Sequence, residues 1–455
     1  MSSHLHPPSA AALLAALWLA ACGSGSGTGL SSLSPAARLG ERLFEDTALS
    51  ASGQQSCATC HVARFAFAEN PGLDGPDRGS PVPLGGPEMD RPGFRNTPSL
   101  KYVSYTPAFH FEADGTPVGG FFRDGRAASL AEQAQQPFIT SFEMANADAA
   151  AVLDKLKTRP YFAEFVALYG AQAGRDPQIA LARIGAAIAA YEIEDEDFHP
   201  FSSKYDYWRR GRAALSAQEL EGLRLFNDPT KGNCAACHPS TSADGVTPPL
   251  FTDFTYDNLG LPRNAAIAAN RDEGAPEYTP ANGADGVHRY YDLGLCGPFR
   301  TDLAQRSDLC GAFKVPSLRN AALTAPYFHN GAFATLAEAI RFYVRRDTDP
   351  AQWYPAAAHA SEIVKFDDLP AAFGGHFVVD LDVAGNDAGY RGNVNTVEVP
   401  YDRRLGDSPA LNDEEIAKVV AFVCTLTDGY DPDHPSDYAA RLPAQCPQSA
   451  ADSTP

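Results

Sequence analysis

Cys57-Ala58-Thr59-Cys60-His61 and Cys234-Ala235-Ala236-Cys237-His238 are the two stretches that decide how this 455-residue chain is read. In each, two thiols three positions apart can form thioethers to the two vinyl groups of one haem, and the adjacent histidine then reaches the iron. A thioredoxin-like redox pair or half of a zinc site uses the same cysteine spacing. Two copies, each ending in histidine and each preceded by a similar segment, favour two covalently bound haem c groups instead.

Working outward, the text around the motifs repeats. They begin 177 residues apart, and Gly40-Glu41-Arg42-Leu43-Phe44 before the first is echoed by Gly222-Leu223-Arg224-Leu225-Phe226 before the second. Thr97-Pro98-Ser99-Leu100 is echoed by Val315-Pro316-Ser317-Leu318. Phe122-Arg123-Asp124-Gly125 and Ser129-Leu130-Ala131-Glu132 are echoed by Phe328-His329-Asn330-Gly331 and Thr335-Leu336-Ala337-Glu338. Such self-similarity implies duplication, hence two haem domains, residues 36–205 and 206–446. The Ser/Thr-x-x-Glu units predict helices starting after Ser129, with a stop at Pro137, and after Thr335. Apolar spacing predicts helices over 149–168 and 177–193, and Asn412 with Glu415 opens a last one through Cys424. Residues 70–120 and 239–312 are rich in Gly, Pro and Asp, without the alternation of a strand-rich fold. The expected class is mainly α: two cytochrome c-like haem domains with long loops.

An apolar share of 44% and 26 phenylalanines indicate a folded protein. The net charge of −20 comes without a basic stripe, which argues against nucleic acid as a partner. The acidic surface either keeps an exported protein soluble or steers a basic electron-donor protein. Residues 10–21 form an apolar stretch too short to span a bilayer, followed by Cys22. We read residues 1–22 as a signal peptide with a lipobox, Cys22 as the acylated residue, and 23–35 as a flexible tether; cleavage without a lipid is the alternative. The expected location is the periplasm, with the lipid as the sole membrane contact, and residues 447–455 read as a disordered tail. Nine cysteines then resolve into Cys22, four for haem, and an even remainder in an oxidising compartment. Nearness in sequence pairs Cys296 with Cys310 and Cys424 with Cys446.

The ligands opposite the two histidines are more informative. Only Met1, Met89 and Met144 could supply a thioether, and none lies in the second half. The second iron is therefore expected to take His or Tyr. No histidine occurs between His61 and His110, so the first iron is a candidate for the open face that peroxide needs. His110 stays open as an alternative ligand there.

From about residue 36 to 430 the chain resembles the bacterial di-haem cytochrome c peroxidases and their MauG-like relatives. The resemblance rests on both haem motifs, Arg95-Asn96-Thr97-Pro98, Asp124-Gly125-Arg126-Ala127, Lys314-Val315-Pro316-Ser317-Leu318-Arg319-Asn320 and Ala325-Pro326-Tyr327-Phe328-His329-Asn330-Gly331. It implies that H2O2 is the oxidant and that Glu143 handles protons during O–O cleavage, with Gln133 as its distal neighbour. A carboxylate in a partly apolar pocket suits that task. It implies a Ca2+ ion held by Asn96, Thr324 and Pro326. Fourteen residues after His329, where peroxidases of this family carry methionine, stands Tyr343. That is the MauG-like arrangement, with a tyrosine oxygen on iron. The chain also departs from the family. Arg123 replaces the aromatic residue that lies between the haems, Gly232 replaces a surface Trp of MauG, and residues 104–121 contain an insertion. A tryptophan relay and the MauG substrate are therefore not carried over. The expectation is a di-haem oxidase of MauG type that oxidises a protein or a small reductant. The alternatives are a cytochrome c peroxidase fed by a small cytochrome c, and a simple di-haem electron-transfer protein.

Overall fold

Side-chain caps set where the helices begin. In the computed structural model, which describes residues 33–69, 80–271, 290–383 and 385–447, Ser34 caps α1 (Pro35–Glu45) and Asp148 caps α2 (Ala149–Lys157). After α3 (Phe162–Tyr169), Asp176 caps the 18-residue α4 (Pro177–Glu194). Reciprocal capping boxes open α5 (Ala217–Asn227), α6 (Leu336–Arg345) and α7 (Asp413–Cys424), from Ser216 and Glu219, Thr335 and Glu338, and Asn412 and Glu415. Cys22, the signal segment, nearly all of the tether and residues 448–455 lie outside the described residues.

Three expectations about helices need correction. The segment 149–168 is two helices, not one, because Pro160 has no N–H to give and disfavours helix at Arg159 before it. The turn after Ser129 spans only Leu130–Gln133, and Glu132 bonds the amide of Ala128 rather than that of Ser129, so the box is incomplete. Nor is α7 the last helix, since Pro435–Arg441 follows it. Strands among the described residues form short two-stranded antiparallel ribbons. The longest pairs β1 (Glu362–Lys365) with β2 (Phe377–Asp380), Ile363 opposite Val379. The fold is helix-rich, and no helix among the described residues is long and apolar enough to cross a membrane.

Glycines fix how the helices meet. A Cβ on Gly40 of α1 would stand 1.9 Å from the Ala187 carbonyl oxygen of α4, and one on Gly222 of α5 would stand 2.0 Å from that of Lys418 of α7. The repeated glycine therefore makes the same close helix crossing twice. Around the first, Leu39, Leu43, Phe44, Phe138, Ile184, Ile188 and Phe198 form an apolar core. Around the second, Leu225, Phe226, Phe251, Val419 and Phe422 form another. A third cluster, including Phe342, Phe366 and Val379, lies against the β1–β2 ribbon. From Leu33 onward the described residues make one compact unit that contains all three. Disulfides join Cys296 to Cys310 and Cys424 to Cys446.

Candidate functional site

Both CxxCH motifs follow their helices into the same backbone trap. His61 Nδ1 lies 2.8 Å from the carbonyl oxygen of Phe67, and His238 Nδ1 lies 2.8 Å from that of Phe251. A carbonyl only accepts, so Nδ1 carries the proton and Nε2 keeps its lone pair for a metal. Burial holds both imidazoles below their usual pKa, in the neutral form a ligand needs. Phe67 and Phe251 present these carbonyls from the left-handed region, both at φ 54°. The same two oxygens accept the amides of Leu100 and Leu318, each at 3.3 Å. The echoes in the text are thus echoes in the backbone. Phe122 and Phe328 are left-handed at 63° and 69°, and the loops they open are closed by Phe121 bridging Ala127 and Tyr327 bridging Phe333.

None of the four motif cysteines is joined in a disulfide. Burial pushes Cys57, Cys234 and Cys237 up to about 12, so they stay protonated at neutral pH. Paired thiols beside a histidine with a free Nε2, at the wall of an apolar cavity, fit covalent haem in both places.

The first cavity, about 320 Å³, is lined by Cys57, Cys60 and His61 together with Gln133, Glu143 and Met144. Burial pushes the Glu143 carboxyl up, opposed by the Arg126 guanidinium and the Thr140 hydroxyl. Its backbone is locked: the amide donates to Thr140 and the carbonyl accepts from Gly86 at 2.8 Å. Asn96, Thr324 and Pro326 also line this cavity. His110 does not. It sits on an exposed ribbon with Ala108 and Glu112 as partners, which removes it as a distal ligand. Met144, buried in the first core, is the thioether that reaches the cavity instead.

Sequence reasoning missed Glu192. This α4 carboxyl is 2% exposed, lines the first cavity, and leaves Oε2 without a hydrogen-bond partner; burial alone pushes it up to about 8. The signal was present, because Glu192 continues the buried stripe Leu181, Ile184 and Ile188 at helical spacing.

The second cavity, about 220 Å³, is lined by Cys234, Cys237, His238 and Tyr343 of α6. The Tyr343 ring lies 5.4 Å from that of Phe328 and 6.0 Å from that of Tyr401, another cavity residue the sequence did not single out. Burial raises both phenols.

Arg123 and Lys314 line both cavities. The Arg123 guanidinium donates to the backbone oxygen of Asn96 at 2.9 Å and to its Oδ1 at 2.8 Å. The hydroxyl of Thr324 turns back to the Ala321 carbonyl. A calcium ion needs six to eight oxygens, and both oxygens of Asn96 already face a cation. A divalent ion about 4 Å from a guanidinium meets repulsion on the order of 8 kcal/mol at an effective dielectric near 20. The residues present do not fit the expected calcium site.

Comparison with known proteins gives the same reading. The family model for di-haem cytochrome c peroxidase matches residues 34–214. Over 308 residues the chain is 42% identical to the methylamine utilization protein MauG of Paracoccus denitrificans, covering 68% of this chain and 73% of that protein. This chain belongs to the di-haem cytochrome c peroxidase and MauG family. It is 30% identical over 318 residues to the cytochrome-c peroxidase IdrP1 of Denitromonas iodatirespirans, 67% of this chain and 71% of that one. The crystal structure of the diheme peroxidase BthA from Burkholderia thailandensis superposes with a TM-score of 0.73 at 38% identity, covering 88% of each chain. As a member of this family the protein is a di-haem peroxide-dependent oxidoreductase.

Proposed function

We propose a MauG-type division of labour in which peroxide reacts at the His61 cradle, His238 and Tyr343 would hold the second haem iron between them, and the oxidising equivalents pass to a protein side chain or a small reductant. The observation that carries this reading is a difference between the linings: Glu143 and Gln133 line only the His61 cavity, and Tyr343 and Tyr401 line only the His238 cavity. Haem held in the cradles supplies the iron that activates peroxide, and the protein supplies the rest. Glu143 in its carboxylate form takes the proton from one peroxide oxygen and returns it to the other, which leaves as water. Arg126 favours the carboxylate while burial opposes it, so the group is balanced to do both. The Gln133 amide, which lines the same cavity, would orient the bound molecule.

The −20 net charge favours a second reading, a cytochrome c peroxidase drawing electrons from a basic small cytochrome. Under either reading we place two haem domains, 36–205 and 206–446, in the periplasm with Cys22 as a lipid anchor. The internal repeat and the two disulfides support that placement.

Electron paramagnetic resonance of the oxidised holoprotein, before and after one equivalent of peroxide, tests the proposal. One high-spin and one low-spin centre are expected, with only the low-spin one altered by Tyr343→Phe. Two low-spin centres indifferent to peroxide would overturn it and point to Met144 as the ligand that closes the first face.

A further inference from the structure

We propose that the Arg123 guanidinium takes the place of the calcium ion implied by the family resemblance, so that the chain ties its two haem cradles together through a cation of its own and holds no divalent metal there. The inference needs only the family membership, not the identity of either distal ligand.

Three observations carry it. The Arg123 fork occupies both oxygens of Asn96, one from the backbone and one from the side chain, as a metal ion would. Asn96 is 3% exposed, and its own amide donates to the carbonyl of His329 at 2.8 Å, so the bonded pair spans from the first cradle to the His329 loop of the second. Arg123 also has no carboxylate partner among the described residues. Nearby Asp292 is engaged by both arms of Arg95, at 2.6 and 2.7 Å. Lys314 lies beside it: its backbone amide donates to the Arg123 carbonyl, and its side chain lines both cavities. Burial pulls the Lys314 amine down to about 7, so the Arg123 guanidinium is the cation that persists between the cradles. Guanidinium suits the position because its planar fork satisfies two oxygens at fixed spacing without needing six to eight ligands.

The test uses the holoprotein and Arg123→Gln. Each is dialysed against a chelator, then against calcium, and followed by elemental mass spectrometry and electron paramagnetic resonance. The wild-type protein should retain no calcium, and its spectrum should ignore the chelator. The Gln variant should lose the wild-type spectrum in chelator and recover it with one bound calcium. One equivalent of calcium on the wild-type protein would overturn the proposal, as would a Gln variant that matches the wild type in chelator or stays perturbed in calcium. If Arg123→Gln fails to take up haem, the calcium content of the wild-type protein and its response to chelator still decide. Neither depends on whether peroxide reacts at His61.

Discussion

The two cradles share a proximal half and differ in the distal one. Both use a glycine-tight helix pair, a CxxCH turn, and a left-handed phenylalanine whose carbonyl holds the histidine Nδ1. The His61 cavity is lined by Gln133, Glu143 and Glu192, whereas the His238 cavity is lined by Tyr343 and Tyr401. Duplication preserved the part that holds a haem, and the part that sets its chemistry diverged. Comparing the cradles therefore isolates what the distal residues contribute.

The largest effect expected from breaking this contrast is at Glu143. Glu143→Gln should slow the reaction with peroxide by about 10²–10⁴-fold in stopped-flow spectroscopy and leave the low-spin centre untouched. Because burial raises this carboxyl, the loss of rate in acid should begin above the ordinary carboxylate range and vanish in the variant. An unchanged rate would remove Glu143 as the proton carrier.

Next come the matched glycines. Gly40→Ala and Gly222→Ala each drive a methyl into a backbone oxygen, and neither carbonyl can yield easily. Overpacking of this kind costs about 3 kcal/mol. Urea unfolding should show similar losses, with Gly40→Ala disturbing only the high-spin centre and Gly222→Ala only the low-spin one. Cross-disturbance would mean that the cradles are not separable.

Glu192 gives a smaller effect that depends on pH. Its carboxyl titrates near 8 in the fold against an ordinary 4.5, so the folded state holds the extra proton between those values. Stability should therefore fall as pH rises through that window, by up to a few kcal/mol, and Glu192→Gln should flatten the dependence. A variant with the wild-type pH profile would place the titration elsewhere.

The smallest contrast is between the echoed caps. Thr335→Ala removes a full reciprocal box from a ten-residue helix and should cost about 1–2 kcal/mol. Ser129→Ala removes one bond from a single turn and should cost about half as much. Equal losses would show that box completeness does not matter here.

Much of this was readable before any coordinates, because the deciding features are local. Haem attachment is a matter of adjacent residues, and a repeated glycine or left-handed loop leaves a repeated string. The split at Pro160 is also local, since a proline overrides apolar spacing as a helix stop. The bond from Arg123 to Asn96 was not accessible this way, since it joins side chains 27 positions apart. The sequence marked Arg123 only as a departure. Met144 entering the first cavity depends likewise on how the loop around Glu143 is pinned by Gly86, a contact between distant stretches.

The protonated motif thiols also constrain how the protein is assembled. Thioether bonds form from reactive sulfur, yet in the finished fold Cys57, Cys234 and Cys237 are reluctant to ionise and face inward. Burial in the closed fold therefore works against haem attachment, and exposure of the motifs to solvent favours it.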